Sequence, residues 1–131
     1  MTGHDLSEKF RALESRIAAE KGGVALFALL MREDVPDRWD LVVSAPWIGS
    51  DKRSAVEYFV SQIKSQLGVH DLTNLARIVV VDPHDAAVQA LYHAIQIEHG
   101  GVEIRDSSFF GLPVKHALII TSKRPPAPAV A

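Results

Sequence analysis

Residues 24–45 read VALFALLMREDVPDRWDLVVSA, and this stretch decides the fold. Its first eight residues are apolar on both alternating faces, which predicts a strand that is covered on both sides of a sheet. Residues 33–38 contain a proline and three acidic side chains, a composition typical of a turn. A second strand is predicted from Trp39 to Ala45, and Pro46 ends it. The short connection makes the two strands an antiparallel hairpin.

The segments on either side of this hairpin predict helices. On the N-terminal side, apolar residues recur at three- and four-residue steps and form one stripe of a helix. Gly22 and Gly23 end it, because glycine adopts the left-handed cap conformation without a steric penalty. On the C-terminal side, Ser50 or Ser54 would cap a second helix, which ends at Gly68. The two stripes are Leu6, Phe10, Leu13 and Ile17, and Val56, Phe59, Val60, Ile63 and Leu67.

The rest of the chain predicts a strand, a third helix and a final hairpin. Residues 77–82 (RIVVVD) have no polar face, and we therefore expect a central strand that is covered on both sides. Asp82 followed by Pro83 predicts the start of the third helix, which ends at the glycines of 100–101. Two strands follow, the last over 114–122. The third helical stripe is Val88, Leu91, Tyr92 and Ile95.

The order α-β-β-α-β-α-β-β predicts an α/β domain of mixed α+β type, with about five strands and helices packed on the sheet. The helical crossover between the second and third strands makes those two parallel, whereas the hairpins are antiparallel. We expect one globular domain over 1–122. The proline-rich segment 123–131 has no apolar stripe to bury and is predicted to be disordered. Nearly complete burial is expected for Phe59, Ile63, Val79, Val81, Leu91 and Ile119.

Composition narrows the classes of function. The chain has 131 residues, 47% of them hydrophobic, which is sufficient for a self-supporting core. It has no cysteine, which excludes disulfides, thiolate metal sites and a cysteine nucleophile. With no secretory signal and no apolar run long enough to span a bilayer, we expect a soluble, cytoplasmic protein that does not enter a membrane. A net charge of −2 makes nucleic acid an unfavourable partner.

The most site-like grouping follows from the crossover. In an open α/β sheet, ligands favour the crevice at the carboxyl ends of parallel strands. Here each of those ends leads into a helix N-terminus, whose free N–H groups and dipole favour an anion. The alternative is that these are ordinary loops whose polar residues cap helices. The candidate ligand-binding residues are Trp47, Ser50, Lys52, Arg53, Asp82, His84 and Asp85.

No other constellation indicates a reaction. No two of the six histidines have the spacing of a helical metal site, and the acidic residues over 33–40 lack the pattern of a calcium loop. No nucleophile elbow or phosphate-binding glycine loop is present, and no catalytic residue is identified. We therefore predict no metal site and no cofactor.

Two hypotheses for function remain. The first is a non-catalytic interaction or regulatory module that forms a homodimer or binds a protein partner. It rests on apolar residues expected at the surface, which are Trp39, Trp47, Phe109 and Phe110. The expected dimer face combines the last hairpin, around Phe109, Phe110 and Val114, with a neighbouring sheet edge. The second hypothesis is a domain that binds a small molecule or anion in the crossover crevice, with or without an enzymatic activity.

Overall fold

The computed structural model describes residues 3–35, 37–49, 51–109 and 111–123, and it confirms the predicted mixed fold. Within these residues one further helix, α3, was not predicted, because five residues are too few to show a helical period. The proline-rich segment after Lys123 lies outside the described residues. The elements are α1 Gly3–Lys21, β1 Leu26–Arg32, β2 Trp39–Ser44, α2 Lys52–Gln66, α3 Val69–Thr73, β3 Leu75–Val80, α4 Ala86–Ala94, β4 Val102–Phe109 and β5 Leu112–Ser122.

The five strands form one sheet in the order β3-β2-β1-β5-β4. β1 pairs antiparallel with both β2 and β5, and β4 pairs antiparallel with β5. β2 and β3 are parallel, as the crossover predicts. β1 is therefore the central strand, which explains why both of its faces are apolar. Lys123, the first residue of the predicted tail, still belongs to this framework, since its amide donates to the carbonyl of Ala25 at 2.9 Å.

The prediction that β3 is central was wrong, because β3 lies at the edge of the sheet and pairs with β2 and with no other strand in the described part of the chain. Val79 and Val81 are consequently half-buried rather than fully buried. The other four residues expected in the core are confirmed: Phe59, Ile63 and Ile119 are 0% exposed, and Leu91 is 9% exposed.

One face of the sheet is covered by α1 and α2. Their apolar stripes pack on side chains of β1 and β2 in a single cluster, in which Phe10, Phe27 and Phe59 are each 0% exposed. Trp39 belongs to this cluster and is 8% exposed, which corrects the expectation that it lies at the surface. We call this side the closed face.

The opposite face is covered by α4 alone, a helix of nine residues. Val88 and Leu91 of α4 pack there on Ala28, Val42 and the apolar side chains of β5. Several residues of this second cluster remain half-buried at its margin, including Val79, Ile95, Ile104 and Phe109. We call this side the open face.

The helices begin where carboxylates can cap them. Asp51, rather than Ser50 or Ser54, is the N-cap of α2, and its side chain accepts a hydrogen bond from the amide of Ser54 at 3.1 Å. α4 begins after Asp85 rather than at Asp82, and it ends at Ala94 rather than at the glycines of 100–101. No helix in the described part of the chain is both long and apolar enough to cross a membrane.

Candidate functional site

The crossover crevice contains helix N-termini that are already capped. Asp51 accepts both the amide and the hydroxyl of Ser54, the latter at 2.7 Å, and these hydrogen bonds hold the pKa of Asp51 below its usual value. At the other strand end, Asp82 accepts the amide of His84 at 2.7 Å, and Asp85 accepts the amide of Ala87 at 2.9 Å. These carboxylates occupy the N–H groups that an anion would use.

Trp47 is anchored in the closed face. Its Nε1 donates to the carbonyl of Gly22 at 2.9 Å, and its ring packs against Tyr58 and Phe59 with centroid distances of 6.0 and 6.1 Å. Burial, together with the nearby carboxylate of Glu20, raises the pKa of Tyr58 to about 12, so its hydroxyl stays protonated as a donor. This arrangement fixes the loop after β2 to the end of α1.

The remaining crevice residues are at the surface or outside the described residues. Lys52 and Arg53 are exposed, and Arg53 Nε lies 3.8 Å from a carboxylate oxygen of Glu57 on the same helix. Ser50 lies outside the described residues. The cavities that the structure describes do not combine the two strand ends: Trp47 lines one with Lys21 and Lys123, whereas Asp85 lines a different one on the open face. His84 and Asp82 are exposed in the turn before α4.

The cavity on the open face is a groove between α4 and the last hairpin, of about 720 Å³, which we call the α4–β4 groove. Its helical wall consists of small and apolar side chains that recur at three- and four-residue steps, so they share one side of α4. Its opposite wall comes from β4 and the turn that follows. The lining residues are Asp85, Ala87, Ala90, Leu91, Ala94 and Ile95 on the helical side, and Ile104, Ser107, Ser108, Phe109 and Gly111 on the hairpin side.

The groove arises because α4 is short and the side chains that it turns toward the hairpin are small. Three alanines face the hairpin where larger residues would fill the space between helix and strand. Asp106, immediately before the serines of the groove, has a φ of 50°. The polar groups that result are two hydroxyls and the carboxylate of Asp85.

A second constellation connects α1 to the last strand. Glu14 of α1 is 0% exposed, and its carboxylate accepts hydrogen bonds from Nδ1 of His99 and, at 2.9 Å, from the hydroxyl of Thr121. A buried carboxylate requires such partners, because burial without them costs several kcal/mol. The sequence contained a signal for it: Glu14 lies four residues after Phe10 and three before Ile17, so it belongs to the buried stripe of α1.

A third polar cluster lies on the open face, at the end opposite the start of α4. Asp40 of β2 is 3% exposed and accepts Arg32 Nε at 2.7 Å and Arg77 Nε at 3.0 Å. The three residues come from three adjacent strands, β1, β2 and β3, and they crosslink them. Every carboxylate and guanidinium here has a partner, which indicates a structural role.

Among the described residues, no group of three or more histidine, aspartate or glutamate side chains is arranged to hold a metal ion. No protein-family model, curated protein or solved structure matches the chain significantly. Function must therefore be argued from the geometry of the sites.

Proposed function

We propose that the protein binds a small amphiphilic molecule, with an apolar body and a neutral or cationic polar group, in the α4–β4 groove. The observation that carries this proposal is the groove itself, about 720 Å³ on the less covered face of the sheet. Ligand sites commonly enclose about 300–1,000 Å³, with apolar walls and a few convergent polar groups. The groove has this composition.

The polar groups select the charge of the ligand. Asp85 is the one ionisable side chain among the described residues that line the groove, and it carries a negative charge. One of its oxygens accepts the amide of Ala87, and the hydroxyls of Ser107 and Ser108 lie in the facing wall. A carboxylate attracts an ammonium group and repels an anion. This favours an amine or alcohol in place of the anion expected at the crossover crevice.

A thermal-shift comparison of three octyl compounds tests the proposal. Octylamine, octanol and octanoate share the same tail, so differences among them report the polar group. We expect octylamine to raise the Tm most, octanol less and octanoate least, since a ligand stabilises the state that binds it. Asp85→Asn keeps a good N-cap and removes the charge. It should abolish the advantage of the amine over the alcohol.

A matched pair of variants separates the groove from unspecific binding. Ala90→Phe fills the groove from an exposed position of α4, and Ala19→Phe makes the same change at an exposed position of α1. The proposal requires that Ala90→Phe lose the ligand-induced shift and that Ala19→Phe retain it. Equal shifts in both variants would place binding elsewhere and overturn it.

We propose self-association as a second function, on the basis of the exposed edge of β4. Among the described residues, β4 pairs in the sheet with β5 alone, so its other edge can pair with a second copy. Antiparallel pairing about Ile104 would place Glu103 of each copy opposite Arg105 of the other. A hydrogen bond from Arg105 holds the pKa of Glu103 below its usual value, which keeps the carboxylate charged.

This interface differs from the expected hairpin face. Val114 is 1% exposed and already buried within the chain, so it offers no surface to a partner. Phe109 is half-buried against the open-face cluster, and Phe110 lies outside the described residues. The backbone edge and the charge pattern of β4 support the proposal in their place.

Charge reversal tests the β4 interface by sedimentation over a concentration series. Glu103→Arg and Arg105→Glu each place like charges opposite one another and should convert the dimer into a monomer. The double variant restores opposite charges in the same register and should recover the dimer. A wild-type protein that stays monomeric, or single variants that dimerise as well as the wild type, would contradict this interface.

A further inference from the structure

We propose that Glu14 and His99 form an acid–base dyad that hydrolyses small carboxylic esters at the surface of α1. The site is separate from the α4–β4 groove and does not depend on it. His99 lies between α4 and β4, and its side chain is 42% exposed while Glu14 is fully buried. One ring nitrogen thus faces the core, and the ring itself reaches solvent.

The hydrogen bonds fix the ring from two directions. Glu14 accepts from Nδ1, which leaves the proton on Nδ1 and the lone pair on Nε2. The backbone amide of His99 donates to Thr121 Oγ1 at 3.2 Å, and that same hydroxyl donates to Glu14. A buried carboxylate that orients a histidine, with Nε2 left accessible, is the arrangement that makes histidine an effective general base.

The backbone at His99 adopts an uncommon conformation. Its φ is 52°, in the left-handed region that few residues other than glycine adopt, although histidine, asparagine and aspartate occur there more often than most. Glycines follow at 100 and 101, yet the chain has histidine at this position. Residues held in sparsely populated conformations cluster at functional sites, where the surrounding structure supports the strain.

A cavity of about 260 Å³ lies beside the ring, on the outer side of α1. Arg11 lines it together with Glu8 and Ser15, and Arg11 Nε donates to the carbonyl of His99 at 3.2 Å. A guanidinium in this position can stabilise negative charge that develops on a substrate oxygen. On the other side of the ring, Nε2 lies 3.7 Å from a carboxylate oxygen of Glu98, whose partner Lys123 holds its pKa below the usual value. The ring of His99 therefore lies between the carboxylates of Glu14 and Glu98.

The proposed reaction follows from these positions. Nε2 of His99 takes a proton from a water molecule as the water oxygen bonds to the carbonyl carbon of the ester. The carbonyl electron pair moves to its oxygen, where Arg11 stabilises the charge. As that pair returns, the bond to the alcohol oxygen breaks, and the imidazolium gives its proton to the leaving group. The products are a carboxylic acid and an alcohol, and the histidine is regenerated.

Hydrolysis of p-nitrophenyl acetate tests the dyad. His99→Asn is the decisive variant, because asparagine tolerates the left-handed conformation and removes the base. We expect it to lower the rate at least about tenfold, which is less than the roughly 10²–10⁴-fold typical of general acid–base catalysis because the substrate is not optimised for the site. His70→Asn, at an exposed site of α3, is the matched control and should retain the wild-type rate.

A positioning readout separates catalysis from a structural tether. Glu14→Gln keeps a hydrogen-bonding side chain but removes the charge, and it should lower the rate and change the ¹⁵N chemical shifts of the His99 ring as the Nδ1–H form loses its preference. Equal rates in wild type, His99→Asn and His70→Asn would overturn the proposal. A wild-type rate no higher than that of free imidazole at equal concentration would also overturn it, whether or not the Glu14 variant folds.

Discussion

The closed and open faces of the sheet are built from the same strands but are covered to different degrees. α1 and α2 supply 19 and 15 residues to the closed face, and the three phenylalanines there are fully buried. α4 supplies nine residues to the open face, where a groove of about 720 Å³ remains beside it. The closed face therefore carries most of the packing, and the open face keeps apolar surface accessible for binding.

The largest expected effect compares a core residue from each face. Phe59→Ala on the closed face should lower the free energy of unfolding by about 3–5 kcal/mol, because a fully buried ring leaves a cavity. Leu91→Ala on the open face should lower the free energy of unfolding by about 2 kcal/mol. This is at the low end for a buried leucine changed to alanine, because Leu91 borders the groove. Urea unfolding of both variants provides the measurement. A larger loss at Leu91 would reverse the comparison.

A smaller effect is expected from the polar cluster at the far end of the open face. Asp40→Ala removes the carboxylate that pairs with Arg32 and Arg77, and it should cost about 2–3 kcal/mol because Arg32 is left largely buried without its main partner. Asp34→Ala is the control, since Asp34 contacts the same Arg32 at 3.3 Å but its side chain is 74% exposed. Its cost should stay below about 0.5 kcal/mol. Similar losses in both variants would show that burial does not decide the strength of this cluster.

The cap of α2 on the closed face should respond to pH. The folded-state pKa of Asp51 is lowered from 3.8 by its hydrogen bonds to Ser54, so the charged cap stabilises the fold above that value. The stabilisation is lost as the pH falls through the lowered pKa. Relative to Asp51→Asn, the wild type should have its full Tm advantage near neutral pH and lose it in acid. Ser54→Ala should weaken this dependence, and an advantage that persists in acid would contradict it.

The smallest effect is expected at Arg53. Its side chain is 91% exposed and pairs only loosely with Glu57, so Arg53→Ala should change the free energy of unfolding by less than about 0.5 kcal/mol. The same variant tests the anion expected at the crossover crevice. A phosphate, nucleotide or carboxylate that raises the Tm of the wild type but not of Arg53→Ala would move the binding site from the open face to that crevice.

Much of the fold could be predicted because the spacing of apolar residues along a segment indicates which of its side chains are buried. The helical stripes of α1, α2 and α4 and the two apolar faces of β1 all identified residues that are buried or half-buried. The position of β3 could not be predicted this way. Its run of apolar residues is compatible with a central strand, but an edge strand covered on one side by α2 also needs apolar residues.

The candidate sites were less accessible to sequence reasoning. The crossover rule correctly located two strand ends that lead into helices, but the carboxylates there cap the helices. The groove depends on the distance between α4 and β4, and the spacing of apolar residues in the sequence does not predict that distance. Glu14 and His99 are 85 residues apart in the chain, so nothing in either segment indicates the other.

The sequence by itself determined the order of elements, the direction of the hairpins and crossover, and the ends of α1 and α2 near glycine, because these follow from backbone chemistry and side-chain spacing over a few residues. Only the tertiary structure decided that β1 is central and β3 is at the edge, that one face stays open, and that Glu14 meets His99. These features depend on contacts between segments that are far apart in the chain. The free energy of such a contact depends on both segments, so neither segment alone predicts it.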